Sequence, residues 1–281
     1  MESEENKALQ RTHYDDITLP IYERCLADES ALVGAGLPQR YMKVHRLVEA
    51  YVDEQLGSDH SGQALVDFGC GWGEWACYFA TLGFEVWAQD ISEGNVKLAD
   101  LRAQRNNLDV RIHTSDCTAT EFPDVHFDMA TGMALVHHLT LEEEQRFYDE
   151  VYRVLKPGGY ALFKEPLKEM AWFRRVVELV PVRDKRNPRP SRLSPQWKAY
   201  AAQEHEPERP VSVAHFRQAF PPDKWDVVRV VPTGLFSRLD RLTRHTPTRT
   251  AIHDWDYRVF HRMTFLRKLF RNVIVIVRKR A

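Results

Sequence analysis

The 281-residue sequence predicts a doubly wound α/β sheet, and three observations carry that expectation. Between Ala64 and Lys164, short apolar runs alternate with segments of helical period, the pattern of strand–helix–strand units. The first apolar run ends at Asp67-Phe68 and is followed by glycines at 69, 71 and 73, a turn that leaves backbone N–H groups open to a polar ligand. Acidic residues and histidines then stand at the ends of the later runs, where open α/β sheets bind their ligands.

Residues 1–40 have no clear period. MKVHRLVEAYVDEQL (42–56) places Val44, Leu47, Val48, Tyr51 and Val52 on one helical face, and Gly57 with the polar stretch to Gly62 ends it. There follow the strand ALVDF, a helix from about Glu74 to Thr81, the strand EVWAQ, a helix near 94–105, the strands VRIHT and FDMAT, a helix at 141–155 and the strand YALFK. Thr140 with Glu143 forms a capping box for the helix at 141, and Pro157-Gly158-Gly159 stops it. After Pro166 the rhythm breaks: six of the fifteen prolines fall between 181 and 210, which suits an irregular excursion. WDVVRVV (225–231) and NVIVIV (272–277) restore the strand pattern, with a helical, Arg-rich segment at 235–270 between them.

A hydrophobic content of 43% is enough for a sizeable core, and no apolar run approaches the roughly 20 residues that cross a bilayer. With an acidic, polar start, MESEENK, a soluble cytoplasmic protein is expected. Cys25, Cys70, Cys77 and Cys117 form no C-x-x-C pair, so free thiols are expected, with no metal and no disulfide. Net charge is −1, but residues 1–165 carry 14 Lys+Arg against 29 Asp+Glu, and residues 166–281 carry 25 against 11. The basic part is either a solvated surface docked on the acidic part or an attractor of an anionic substrate.

A dinucleotide fingerprint reads G-x-G-x-x-G; here the third glycine falls one place early and Glu74 takes its position. The G-x-G-x-G turn after Asp67, the acidic strand end at Asp90, Asp116 just past VRIHT, the segment His137-His138-Leu139 and the turn R-V-L-K-P-G-G resemble, in order and spacing, class I S-adenosylmethionine (SAM)-dependent methyltransferases. The resemblance covers roughly residues 62–166. It implies a seven-stranded sheet with the last strand antiparallel, an N-terminal helical lid (1–61), a SAM-binding core (62–166), a Pro/Arg-rich substrate insert (167–224), and remaining strands around a helical insert (225–281). It implies cofactor contacts from Asp67, Gly69, Gly71 and Gly73, from Asp90 and the adjoining Ile91 to the ribose, from Asp116 and Cys117 to the adenine, and from Met133 and Ala134 near the methionine moiety. Phe68, Cys70 and Trp72 line the same turn, and Tyr14 resembles the tyrosine that lid segments lay over SAM in some relatives.

The implied activity is methyl transfer to a small molecule, to oxygen more than to nitrogen. His137 and His138 are the candidate bases, since an imidazole titrates in the useful range, and Glu165 at the end of YALFK is a candidate to orient the acceptor. Arg183, Lys185, Arg186, Arg189, Arg192 and His205 point to a substrate lid for an anionic acceptor whose apolar body meets Trp172, Phe173, Trp197, Phe216 and Phe236. An RNA methyltransferase and a non-catalytic SAM-binding protein are the alternatives; nucleic acid is disfavoured because no RNA-binding module is recognisable and the acidic first part would repel a phosphate backbone.

Overall fold

A computed structural model describes residues 3–28, 42–167, 175–176, 178–179, 181, 190–198, 209, 211–234, 251 and 269–281. The elements, in chain order, are α1 (Ser3–Ala27), α2 (Met42–Leu56), β1 (Ala64–Phe68), α3 (Glu74–Thr81), β2 (Glu85–Asp90), α4 (Glu93–Arg105), β3 (Val110–Thr114), β4 (Phe127–Met133), a 3₁₀ turn (Val136–His138), α5 (Leu141–Val154), β5 (Leu155–Pro166), α6 (Val213–Ala219), β6 (Trp225–Thr233) and β7 (Asn272–Lys279). The seven strands form one sheet in the order β3-β2-β1-β4-β5-β7-β6. Only β7 runs against its neighbours, pairing antiparallel with both β5 and β6.

Each face of the sheet carries its own core. On one, Phe68, Phe147, Val151 and Phe163 meet Phe216 and Phe220 from α6 and the residue after it; on the other, Leu65, Met129, Leu162 and Ile274 meet Val48, Tyr51 and Val52 of α2 with Phe79 of α3. That division follows from strand alternation, with Leu162 and Phe163 pointing to opposite faces. The capping box at α5 is present: Thr140 Oγ1 accepts from Glu143 N at 3.2 Å while Glu143 Oε2 accepts from Thr140 N at 2.8 Å. The strands agree with the expected runs except at β5, which begins at Leu155 and takes in Pro157-Gly158-Gly159, with an irregular register between Phe127 and Met129 where β4 pairs with it.

The long helix α1 was not visible as a period because the face it buries is polar: Asn6, Gln10 and Thr18 are buried along with Cys25. Its first half closes on the loops around the sheet through hydrogen bonds, while Ile21, Tyr22 and Cys25 pack on Trp72, Leu98 and Leu101. All four cysteines are buried free thiols. Among the described residues no helix is long and apolar enough to cross a membrane. The Arg-rich segment 235–270 and most of the excursion at 181–210 lie outside the described residues.

The seat of α1 on α4 depends on a missing side chain. A Cβ on Gly94 would stand 2.1 Å from Thr18 Oγ1 and 3.1 Å from Leu19 N, closer than rotation of the threonine alone can relieve. Gly94→Ala should therefore unseat α1 while leaving the sheet folded: amide hydrogen exchange should accelerate across residues 3–27 and remain slow in β1, β4 and β5. Unchanged protection in α1 would show that the contact yields without consequence.

Candidate functional site

The turn from β1 into α3 uses three left-handed glycines, with φ of 62° at Gly69, 53° at Gly71 and 72° at Gly73. Their reasons differ. A Cβ at Gly69 would come within 2.8 Å of Leu135 Cδ1, and one at Gly73 within 2.9 Å of Ala99 Cβ, so both are needed for close packing. A Cβ at Gly71 would meet no protein atom, because Gly71 stands on the wall of a cavity.

That cavity has an empty volume of about 820 Å³, counting the part that opens to solvent. It lies at the C-terminal ends of β1, β2 and β4, with α1 as one wall. Gly69, Gly71, Asp90, Ile91, Met133 and Ala134 supply the strand-end wall; Asp116, Cys117, Tyr14 and His138 close it from the β3, α1 and 3₁₀-turn sides. Asp67, Phe68, Cys70, Trp72, Gly73, His137 and Glu165 stand behind this wall. Phe68 packs edge-on against Phe122 and Phe147, and Trp72 packs under α1.

Asp90 is buried, and its carboxylate accepts from Gly71 N (2.9 Å), Ser92 N (3.0 Å) and Asn95 Nδ2 (3.1 Å). Burial raises its pKa against the pull of these donors. Three donors leave one of about four acceptor positions for a ligand hydroxyl. Asp116 is engaged as well: Oδ1 accepts from Thr118 N and Oγ1, and Oδ2 pairs with Lys7 Nζ at 2.6 Å. Burial alone would raise the Asp116 pKa; Lys7 and Thr118 outweigh it and hold it below the usual carboxylate value. Asp15 reaches the start of α4, accepting from Ser92 Oγ (2.6 Å) and Gly94 N (2.9 Å).

Beyond β4 the chain turns through Ala134, a non-glycine residue at φ 61° whose N–H donates to Lys164 O at 2.7 Å. Such a conformation costs about 1–2 kcal/mol. The turn that follows is held by Glu165, which is fully buried: Oε1 accepts from Leu135 N and Val136 N at 2.9 Å each, and Oε2 lies 2.7 Å from His137 Nδ1. His138 faces the cavity, its Nε2 3.3 Å from Tyr14 Oη. Burial, with His137 and His13 nearby, pushes its pKa down to about 3.

Several residues at or around the cavity were missed. Asn6 and Gln10 stand on the wall with Tyr14, a polar i, i+4, i+8 stripe that could have been read as one helical face. Asn6 Nδ2 donates to Glu143 Oε2 (2.7 Å) and His138 O (3.1 Å), fastening α1 over the histidine turn. Arg209 carried no sequence signal. Its backbone N donates to His137 O (2.7 Å), its Nε to Leu139 O (3.1 Å), and its Nη2 to Val136 O (3.4 Å) and to the buried Glu144.

The substrate expectations after Pro166 fare differently. Arg183, Lys185, Arg186, Arg189, His205, Trp172, Phe173 and Phe236 lie outside the described residues. Arg192 is tied to Glu178 at 2.6 Å. Phe216 is corrected outright: it is fully buried in the sheet core and meets no acceptor.

Comparison with known proteins bears on this arrangement. Residues 65–159 match the family model of a methyltransferase domain. The chain is 29% identical over 124 residues to a ubiquinone biosynthesis O-methyltransferase of Ruegeria pomeroyi, and 33% identical over 102 residues to the 27-O-demethylrifamycin SV methyltransferase of Amycolatopsis mediterranei. These matches take in 43% and 35% of this chain, which spans 49% and 37% of the relatives' lengths. Residues 65–159 form a methyltransferase domain. In fold, the chain resembles magnesium protoporphyrin IX methyltransferase from Synechocystis PCC 6803, with a TM-score of 0.58 and 13% identity over 98% of this chain and 100% of that one. It also resembles phosphoethanolamine N-methyltransferase 1 of Haemonchus contortus, with a TM-score of 0.60 and 14% identity over 100% of this chain and 50% of that one.

The cavity of the methyltransferase domain suits SAM on its own chemistry. Gln10 and Gln89 are buried on its wall with both side-chain polar atoms unpartnered among the described residues, as is Asn95 Oδ1. Buried amides without partners are rare, and a polar ligand or ordered water in the cavity would satisfy them. The acidic pair Asp90 and Asp116 suits the hydroxyl and amino donors of a nucleoside, and Gly71 leaves room at the backbone.

Asp67 gives the methyltransferase domain a measurable pH signature. Burial, opposed by the hydrogen bond from Thr131 Oγ1 (2.8 Å) and aided by Asp90, raises its pKa to about 7. Between about pH 4 and pH 7 the unfolded chain is ionised at this residue while the folded one keeps its proton. Its contribution to stability is therefore fully present at the acid end and falls as pH rises, by up to about 4 kcal/mol. Asp67→Asn should remove that slope, so urea unfolding should show its advantage over the wild type growing from pH 5 to pH 8. Parallel pH profiles for the two proteins would contradict the buried, protonated carboxyl.

Proposed function

We propose that this protein transfers a methyl group from SAM to an oxygen atom of a small, anionic acceptor, with His137 as the general base. The observation that carries this reading is the buried pair of His137 and Glu165, held at 2.7 Å in the turn that walls the cavity. Glu165 also receives two backbone N–H groups, so it acts as acceptor throughout and His137 Nδ1 carries the hydrogen. Nε2 then keeps its lone pair to take the proton of an acceptor that reaches past Leu135 and His138, the wall residues behind which His137 stands. His138, with its pKa near 3, stays neutral but is too weak a base to hold a proton near pH 7. Its place beside Tyr14 suits a wall of the cofactor site.

When bound, SAM supplies an electrophilic methyl group on its sulfonium. The chain's own task is to hold the acceptor in line, worth roughly 7–11 kcal/mol of barrier, and to remove its proton, worth about 10²–10⁴-fold. Asn6, Gln10 and Tyr14 of α1 wall the cavity on one side, where they would keep water from bound SAM. The anionic acceptor is supported by the 25 Lys+Arg against 11 Asp+Glu in residues 166–281.

Two substitutions test the assignment against S-adenosylhomocysteine (SAH) affinity, measured by calorimetry. His137→Ala should lower kcat by about 10²–10⁴ with SAH affinity nearly intact. Glu165→Gln keeps the shape and one acceptor oxygen, but an amide nitrogen facing Nδ1 reverses the imidazole tautomer, so kcat should fall with little change in KM. Near-normal turnover in both variants would place deprotonation elsewhere.

A further inference from the structure

Lys164 is half-buried near the C-terminal end of β5, and its Nζ has no hydrogen bond or ion pair among the described residues. In register it stands beside Met133 of β4 and Ile274 of β7. Paired residues of neighbouring strands share a face, and Leu162, Ile274 and Met133 identify this one as the α2 face. Met133 is also on the cavity wall. The backbone of Lys164 is thus one strand, about 4.8 Å, from that of a residue on the cavity wall.

One pleat further along the same face, Pro166, Asn272 and Thr233 lie in register across β5, β7 and β6. Thr233 is only 1% exposed, and its Oγ1 has no hydrogen-bond partner among the described residues. Buried hydroxyls in proteins are almost always satisfied. Arg271 adjoins Asn272, with its carbonyl bonded to Leu167 N at 2.7 Å. Burial and the charge of Arg271 together lower the Lys164 pKa, opposed by Glu165 on the other face. An unpartnered ammonium on β5 and an orphaned hydroxyl on β6 therefore share one face at this corner of the sheet, and an anion placed there would offset the desolvation of Lys164.

We propose that Lys164 and Thr233 form the subsite for a carboxylate or phosphate group of the methyl acceptor. Lys164 Nζ and Thr233 Oγ1 donate to the anion, and the rest of the acceptor extends past Met133 toward the His137 turn. The inference rests on the methyltransferase reading above.

The experiment titrates SAH-loaded protein with inorganic phosphate and with acetate, by calorimetry at constant ionic strength. The wild type should bind at least one of them saturably; phosphate alone indicates a phosphorylated acceptor, and acetate a carboxylated one. Lys164→Met should weaken that binding about tenfold or more, Lys164→Arg should retain most of it, and Thr233→Val should produce a smaller loss. All three variants should keep wild-type SAH affinity, which also shows that they fold. Equal anion binding by wild type and Lys164→Met, or none by the wild type, overturns the subsite. Failure of the wild type to bind SAH would instead overturn the methyltransferase reading itself.

Discussion

Three donors converge on the carboxylate of Glu165, which no water reaches: the N–H groups of Leu135 and Val136 and the Nδ1 of His137. Without it, two backbone donors would lie unpaired in the interior, at about 1–3 kcal/mol each, and the turn after β4 would have no reason to hold Ala134 in a left-handed conformation. The turn in turn fixes Leu135, whose Cδ1 would clash with any side chain at Gly69. The histidine pair, the glycine turn and the strand-end wall of the cavity are thus set by one buried charge rather than by three separate local preferences.

Arg209 reinforces the same turn from outside. It binds three of the carbonyls between Val136 and Leu139 and ends on Glu144 of α5. The residues that place the histidines therefore come from β5, from α5 and from the far end of the segment after Pro166. Position in the sequence gives no hint of that convergence.

What was legible in the sequence was what periodicity and backbone chemistry encode. ALVDF and VRIHT coincide with β1 and β3, Glu74–Thr81 with α3, and the Thr140–Glu143 capping box is present as read. The glycine turn and the acids at strand ends were legible because they depend on local conformation and position along a strand. The polar seat of α1 was not, since Asn6, Gln10 and Thr18 bury hydrogen-bonding faces that no apolar period reports. Nor was the occupation of Asp116 by Lys7, a partner 109 positions away that only the docking of α1 brings within 2.6 Å. Phe216 misled for the complementary reason: an aromatic beside basic residues reads as a ligand contact until the sheet core claims it.

The two halves of α1 meet the protein through different chemistry, with Pro20 between them. Past the proline, Tyr22 and Cys25 pack on Leu98 and Trp72, so that end is fixed by apolar burial. Before it, Ser3, Asn6, Lys7 and Asp15 hold on through hydrogen bonds and an ion pair. Proline lacks the N–H that would bond the preceding turn, which makes the junction the compliant point of the helix. Lifting the first half exposes mainly polar groups, whose hydration lowers rather than raises heat capacity. Were that half to lift, the heat-capacity change would be small, unlike that of unfolding the core, and higher ionic strength would favour the lifted state by weakening the pair of Lys7 with Asp116.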